Sequence, residues 1–334
     1  MKILGTGLSG LVGSRIVELL KDKYEFDLSE VDITDRNAII EKIKSSDAPI
    51  VLHLAAKTSV DGCEKDREED LRTFCHPEFI SGSKKMLNQV QHDRQERFWT
   101  SQNDEGGMGK KTAWEVNVIG TKNIVDACGE SKKKIIYIST DFIFDGSRPS
   151  AGGYKEEDMP NPINWYGKTK YEGEEIVKNS SISWIIARIA YPYRAKFSKN
   201  DFFRSILQRL QKGEKVMAVT DHIFTPTFID DIAFAIGRLI EEKATGIFHV
   251  VGATYLTPYD SALAIATRFN YNQSFVTKTS RAEFFKSRAP RPFRLALKND
   301  KIRRLGVEMR GFEEGLEELK RQMTNEFLNF EIGN

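Results

Sequence analysis

The chain has 334 residues, 40% of them apolar and 29% charged, and a net charge of +2. That length supports a large core in one or two domains, and that balance excludes a disordered chain. Near-neutral charge gives no electrostatic case for nucleic acid or an acidic membrane surface, and no apolar run is long enough to span a bilayer.

Met1–Leu4 reads as a short strand that ends in a Gly-rich turn. Leu11–Leu20 follows as a helix, with Val12, Ile16, Leu19 and Leu20 at helical spacing. Only two apolar residues separate Lys2 from Gly5, too few for a secretory signal. Tyr24–Leu28 is a weak second strand and Arg36–Ile43 a helix. Ile50–Leu54 is an almost uniformly apolar run, as expected of a strand buried on both faces of a parallel sheet. Val116–Ala127 reads as a helix, Lys134–Ser139 as a buried strand, Tyr166–Val177 as a helix and Ser183–Ile189 as the next strand. This alternation predicts an α/β fold with a Rossmann-type doubly wound parallel sheet. Beyond Tyr191 the pattern changes. Helices are expected at Phe202–Leu210, Asp230–Glu241, Leu256–Phe269 and Phe312–Met323, with a strand at Gly246–Val251. Asp230 and Asp231 would complement the dipole of their helix. The expected division is a nucleotide-binding domain at 1–191 and a smaller mixed α/β substrate-binding domain at 192–330, interleaved with the last sheet elements.

Residues 72–111 have no clear period and are rich in Gln, Asn, His and Asp. The stretch resembles translated repeat elements that some bacterial genomes insert in frame, and a surface insertion costs little closure entropy. Cys75, His76 and His92 match no zinc spacing, so no metal is expected. Of the three cysteines, Cys63, Cys75 and Cys128, none forms a CxxC pair, which fits a reducing compartment. A cytoplasmic protein with no membrane or nucleic-acid partner is the resulting expectation.

Gly7-Leu8-Ser9-Gly10-Leu11-Val12-Gly13 has the form G-x-x-G-x-x-G between a strand and a helix. In that context glycines permit a tight turn and close backbone approach to a pyrophosphate, which the N–H groups at the helix start then face. A ribose carboxylate is expected ~20 residues beyond the turn. Asp27 and Asp32 flank that position, so NAD and NADP both stay open. Asp32-Ile33-Thr34-Asp35 could line an adenine, or Thr34 or Asp35 could simply cap the next helix.

Tyr166 and Lys170 form Y-x-x-x-K on one helix face. An ammonium near a phenol lowers its pKa from ~10, making a general acid for a carbonyl that receives hydride. The strand before them ends in Ser139 and Thr140, at the sheet edge where open α/β folds bind ligands. Thr140 could share developing charge on a substrate oxygen, or both hydroxyls could merely start a turn.

The glycine turn, STDFIFDG (139–146) and NWYGKTKYEGE (164–174), in this order, resemble the extended short-chain dehydrogenase/reductase superfamily. Within it they look most like the dTDP-4-dehydrorhamnose reductase branch. HLAAKTSVD (53–61), NVIGT (117–121), RIAY (188–191), DHIFTPT (221–227) and APRP (289–292) are similar to further segments of that branch. The resemblance implies Thr140, Tyr166 and Lys170 as the catalytic set. It implies that Gly7, Leu8, Ser9, Gly10, Leu11, Val12, Gly13, Asp32, Ile33, Ala55, Ala56, Lys57, Asn117, Ser139 and Ala190 surround NADP or NAD together with Tyr166 and Lys170. Thr58, Val60, Asp141, Phe142, Tyr191 and Arg291 would face a sugar nucleotide. Tyr191 stands where the branch often has Trp. Ten Lys or Arg against two acidic residues between Lys278 and Arg304 fit a phosphorylated substrate or a plain basic surface. The implied activity is NAD(P)H-dependent reduction of a 4-keto sugar nucleotide such as dTDP-4-dehydrorhamnose, with a homodimer left open. The alternatives are a regulatory subunit like that of methionine adenosyltransferase, or a related epimerase or dehydratase. A dehydratase would carry a second acid after Asp141, where Phe142 stands.

Overall fold

The computed structural model describes residues 1–74, 111–147 and 152–332. Cys75, His76 and His92 lie outside the described residues, as does most of the 72–111 stretch. Among the described residues no helix is long and apolar enough to cross a membrane, and no group of three His, Cys, Asp or Glu is placed to hold a metal ion.

The first half alternates strands and helices: β1 (Lys2–Thr6), α1 (Gly13–Leu20), β2 (Glu25–Ser29), α2 (Arg36–Ser45), β3 (Ile50–His53) and α3 (Val60–Thr73). A π-helical turn, Glu115–Gly120, then runs into α4 (Thr121–Glu130), followed by β4 (Lys134–Thr140), α5 (Trp165–Lys178) and β5 (Trp184–Ile189). The second half carries β6 (Pro192–Tyr193), α6 (Phe202–Gln211), β7 (Val216–Val219), β8 (Thr227–Phe228), α7 (Ile229–Glu241) and β9 (Gly246–His249). It closes with α8 (Pro258–Arg268), β10 (Val276–Thr279), α9 (Arg281–Phe284), α10 (Asp300–Arg303) and α11 (Phe312–Ile332).

Six parallel strands form the central sheet in the order β2-β1-β3-β4-β5-β9. The fold is therefore the Rossmann-type α/β sheet expected. Successive strand residues point to opposite faces. Ile3, Leu52 and Ile136 pack under α1 and α7 with Ile16, Leu20, Ile232 and Ile236. Their neighbours Leu4, Val51 and Ile135 pack under α2 and α4 with Ile39, Ile43, Ile124 and Cys128. Both faces are covered, which is why these strands are uniformly apolar. The chain leaves β1 in one direction to β2 and returns to β3 on the other side. The switch between β1 and β3 opens a crevice at their C-terminal ends.

Departures from the expected elements have local causes. The α1 helix begins at Gly13, because Leu8–Val12 form the turn. In α3 the fully buried residues are Cys63 and Asp70, so its sequence carries no apolar stripe to betray a helix. The expected Val116–Ala127 helix starts as a π-turn. The acids heading α7 answer arginines rather than the dipole alone: Asp230 takes two 2.7 Å bonds from Arg15, and Asp231 pairs with Arg310. A separate core of Phe203, Leu207, Ala262, Ile265, Leu316 and Leu319 joins α6, α8 and α11, edged by the β7–β10 pair.

Candidate active site

Gly7 ends β1 with a φ of +71°. A Cβ there would lie 2.6 Å from the Ala55 backbone nitrogen, and one on Gly13 would lie 2.6 Å from the Leu8 Cα. The first turn of α1 has no side-chain cap. Within the turn the Gly10 N–H donates to the Gly7 carbonyl (3.2 Å) and the Ser14 N–H to the Gly10 carbonyl (3.0 Å), and the side-chain-free glycine surface at the helix start fits a pyrophosphate. Leu8 and Val12 sit in the core beneath it, so only their backbones can meet a nucleotide; Leu11 packs partly against that core and Ser9 is exposed. Gly7→Val should weaken NADPH binding by more than tenfold in a fluorescence titration, because the new side chain enters the β3 loop. Unchanged affinity would remove the turn from the cofactor site.

Around the expected adenosine end, Asp32 accepts from both the Thr34 N–H and its hydroxyl, at 2.9 and 2.8 Å. Asp35 caps α2, which settles the Thr34 or Asp35 alternative. Asp27 is taken by Lys42 at 2.7 Å. Ile33 is buried against Gly120, so its side chain supports the helix rather than lining an open pocket.

The loop after β3 brings Ala55, Ala56 and Lys57 opposite the glycine turn. Asn117 braces it: the Lys57 N–H donates to Asn117 Oδ1 (2.8 Å), and Asn117 Nδ2 donates to the Lys57 carbonyl and to Thr169 Oγ1 (3.1 and 3.0 Å). Its side chain is thus spent on joining this loop to α5. Below, His53 is buried between Thr6 (2.8 Å) and Thr121 (3.1 Å), and burial holds its imidazole down at about 3, neutral.

Thr140 ends β4 and Tyr166 begins α5, and the two meet. The Thr140 hydroxyl donates to Asp141 Oδ1 (3.0 Å) and accepts from the Phe142 N–H (3.2 Å). Burial raises the Tyr166 phenol well above its usual range, while hydrogen bonding to Thr140 pulls the other way. Lys170 donates to the Ile138 carbonyl at 2.9 Å and lies 4.0 Å from the centre of the Tyr137 ring. Burial lowers its ammonium to about 7, opposed by Glu174. The Tyr166 shift comes first from its packing, then from Thr140, Asp141 and Cys63. The Lys170 amine rests on a carbonyl of β4 itself, two residues before Thr140.

Ser139 Oγ and Asp141 Oδ2 are buried without a hydrogen-bond partner. Unpaired buried polar atoms are costly, and here they mark the place where a ligand's polar groups fit. Burial also lifts the Asp141 carboxyl to about 7. Phe142 packs beside Tyr166 and Tyr191, with ring centres 5.8 and 6.1 Å away. Tyr191 adopts a φ of +39°, and its hydroxyl lies 3.4 Å from His222 Nε2. Ala190 is in the core behind it. Thr58 is exposed and Val60 half-buried at the start of α3. Arg291 is not free: it pairs with Asp61 at 2.9 Å and donates to the Ala289 carbonyl at 2.6 Å. Asp61 and His222, within HLAAKTSVD and DHIFTPT, are further polar residues of this region that the motifs do not single out. Their partners come from loops more than 30 residues away in either case, so no local spacing announces them.

The RmlD substrate binding domain family matches residues 1–74 and 100–325. The chain belongs to that family. It is 28% identical over 275 residues to dTDP-4-dehydrorhamnose reductase of Aggregatibacter actinomycetemcomitans, covering 79% of this chain and 78% of the relative. Over 206 residues it is 31% identical to the bovine methionine adenosyltransferase 2 subunit beta, covering 59% and 60%. Its fold superposes on dTDP-4-dehydrorhamnose reductase from Bacillus anthracis, in complex with NADP, with a TM-score of 0.78, 27% identity and coverage of 96% and 99%. The family's match passes over residues 75–99, inside the stretch without period.

Proposed function

We propose that the protein reduces a 4-keto sugar nucleotide, most simply dTDP-4-dehydrorhamnose, with NADPH or NADH. The observation that carries this reading is the hydrogen-bonding approach of Thr140, at the C-terminal end of β4, and Tyr166, in the first turn of α5. The reduced nicotinamide supplies hydride when bound. Gly7, Gly10 and Gly13 would give the cofactor's pyrophosphate backbone room, Ala55, Ala56 and Lys57 would wall the crevice, and Lys170 would hold the ribose. Tyr166 holds a proton at its hydroxyl, tight because the packed site disfavours the phenolate. That proton passes to the keto oxygen as the carbonyl carbon becomes tetrahedral. Thr140 hydrogen-bonds the same oxygen and shares its developing charge. Asp141, whose carboxyl burial pushes up, would face a sugar hydroxyl with its unpaired Oδ2. Tyr191 and Phe142 would flank the sugar ring.

The test is oxidation of NADPH or NADH by the purified protein on addition of a dTDP-4-keto-6-deoxy sugar. Turnover supports the reading, and tight cofactor binding without turnover favours the second one, a non-catalytic regulator. That alternative is motivated by the 31% identity to the methionine adenosyltransferase subunit. Residues 75–99 lie outside the family's match. A chain lacking them is expected to keep its turnover within about twofold; a folded but inactive product would place them in the site.

A further inference from the structure

Tyr166 is the second residue of α5. Helix ends fray, and the first N–H groups of a helix have no partner within it. A proton donor at such a place needs outside anchors, and this chain supplies three. Asn164 Oδ1 accepts from the Gly167 N–H at 2.8 Å. Glu64 accepts from the Trp165 N–H at 2.8 Å. Asp70 accepts from the Trp165 indole Nε1–H at 2.7 Å.

Asp70 is wholly buried and has further duties. It accepts from the Trp114 N–H at 3.2 Å, and the Trp114 ring stacks on Trp165 with centres 5.8 Å apart and planes 23° apart. Nearby, Asp66 accepts from the Ala113 N–H at 2.9 Å. Cys63, Ala113 and Trp165 form one small core against which Tyr166 itself packs. The acidic face of α3 thus grips two segments at once: residues 113–114, and the residue immediately before the tyrosine.

We propose that the Asp70–Trp165 pair is a positioning device for Tyr166, fixing where its hydroxyl points and so setting the rate of proton delivery rather than ligand affinity. This rests on the reading of Tyr166 as the proton donor. A misplacement of about 1 Å in a catalytic group can cost ~10²-fold in rate. Trp165 shares a peptide bond with Tyr166, and its backbone N–H and its indole are both tied to α3, so a shift of the Trp165 backbone out of this lock carries the tyrosine with it. Neither side chain of the pair touches substrate in this account.

The experiment compares Trp165→Phe, Asp70→Leu, Asp70→Asn and the double variant Trp165→Phe/Asp70→Leu. Trp165→Phe removes the indole N–H while keeping a ring against Trp114. It should lower kcat about tenfold, with KM and the NADPH dissociation constant within twofold of wild type. Asp70→Asn keeps an acceptor oxygen and should retain most activity. The double variant should cost no more than the worse single, since coupled residues are not additive. Amide hydrogen exchange over residues 164–170 of the NADPH-bound protein gives a readout free of turnover. Exchange there should quicken in Trp165→Phe while exchange in the central strands stays put. Wild-type kcat in Trp165→Phe, or additive losses in the double variant, would overturn the proposal. If the wild-type protein itself shows no turnover, the functional reading fails, and unchanged exchange over 164–170 would then sink the lock separately.

Discussion

Tyr166→Phe should lower kcat by roughly 10²–10⁴-fold, the usual worth of a positioned general acid, with NADPH affinity nearly unchanged. The variant deletes one oxygen and leaves the ring to pack against Phe142. Lys170 keeps its bond to the Ile138 carbonyl, because that bond does not involve the phenol. The glycine cradle lies on other elements and is untouched. Turnover and titration of NADPH fluorescence on the same sample check this. Equal losses in both would mean that Tyr166 serves binding, and the proton would need another source.

The second large effect concerns stability. Arg188 and Glu174 are both fully buried and joined by two bonds, Nε to Oε1 at 3.0 Å and Nη2 to Oε2 at 2.8 Å. Arg188 also donates to the Glu156 carbonyl at 3.2 Å and lies 5.3 Å from the centre of the Phe144 ring. Glu174→Leu strands a guanidinium in the interior without its counter-charge. Breaking a buried pair from one side typically costs about 3–5 kcal/mol, a large part of a marginal total. Urea unfolding should therefore show a much lower midpoint. Glu174→Leu/Arg188→Met should recover most of the loss, since replacing both partners removes the stranded charge. A double variant as unstable as the single would show that packing, rather than charge, sets the cost. The Arg188 side chain is turned inward to Glu174 and so serves the core.

The legible parts of the sequence were those with local signatures. Ile50–His53 and Lys134–Thr140 announced themselves because both faces of the sheet are covered, leaving no polar position to blur the run. The glycine turn was legible because Gly7 needs a positive φ and Gly13 close packing, and both demands leave glycine in the sequence. What stayed hidden depends on contacts distant in sequence. The α3 helix buries a carboxylate instead of an apolar stripe, since Asp70 serves tryptophans at positions 114 and 165. The state of Lys170 could not be read from Y-x-x-x-K, because burial lowers its ammonium against the pull of Glu174 and the amine's partner is a carbonyl of β4. The pairing of Arg291 with Asp61, 230 positions away, was likewise beyond any local pattern.

The central claim is that Tyr166, with Thr140 beside it, delivers a proton to a nucleotide-linked keto sugar reduced by a cofactor whose pyrophosphate sits in the Gly7–Gly13 cradle. The most direct measurement follows reduced-cofactor absorbance in wild type and Tyr166→Phe after addition of dTDP-4-dehydrorhamnose. The account predicts prompt, stoichiometric oxidation by wild type and almost none by the variant. Cofactor that binds tightly in both proteins yet is oxidised by neither would contradict it.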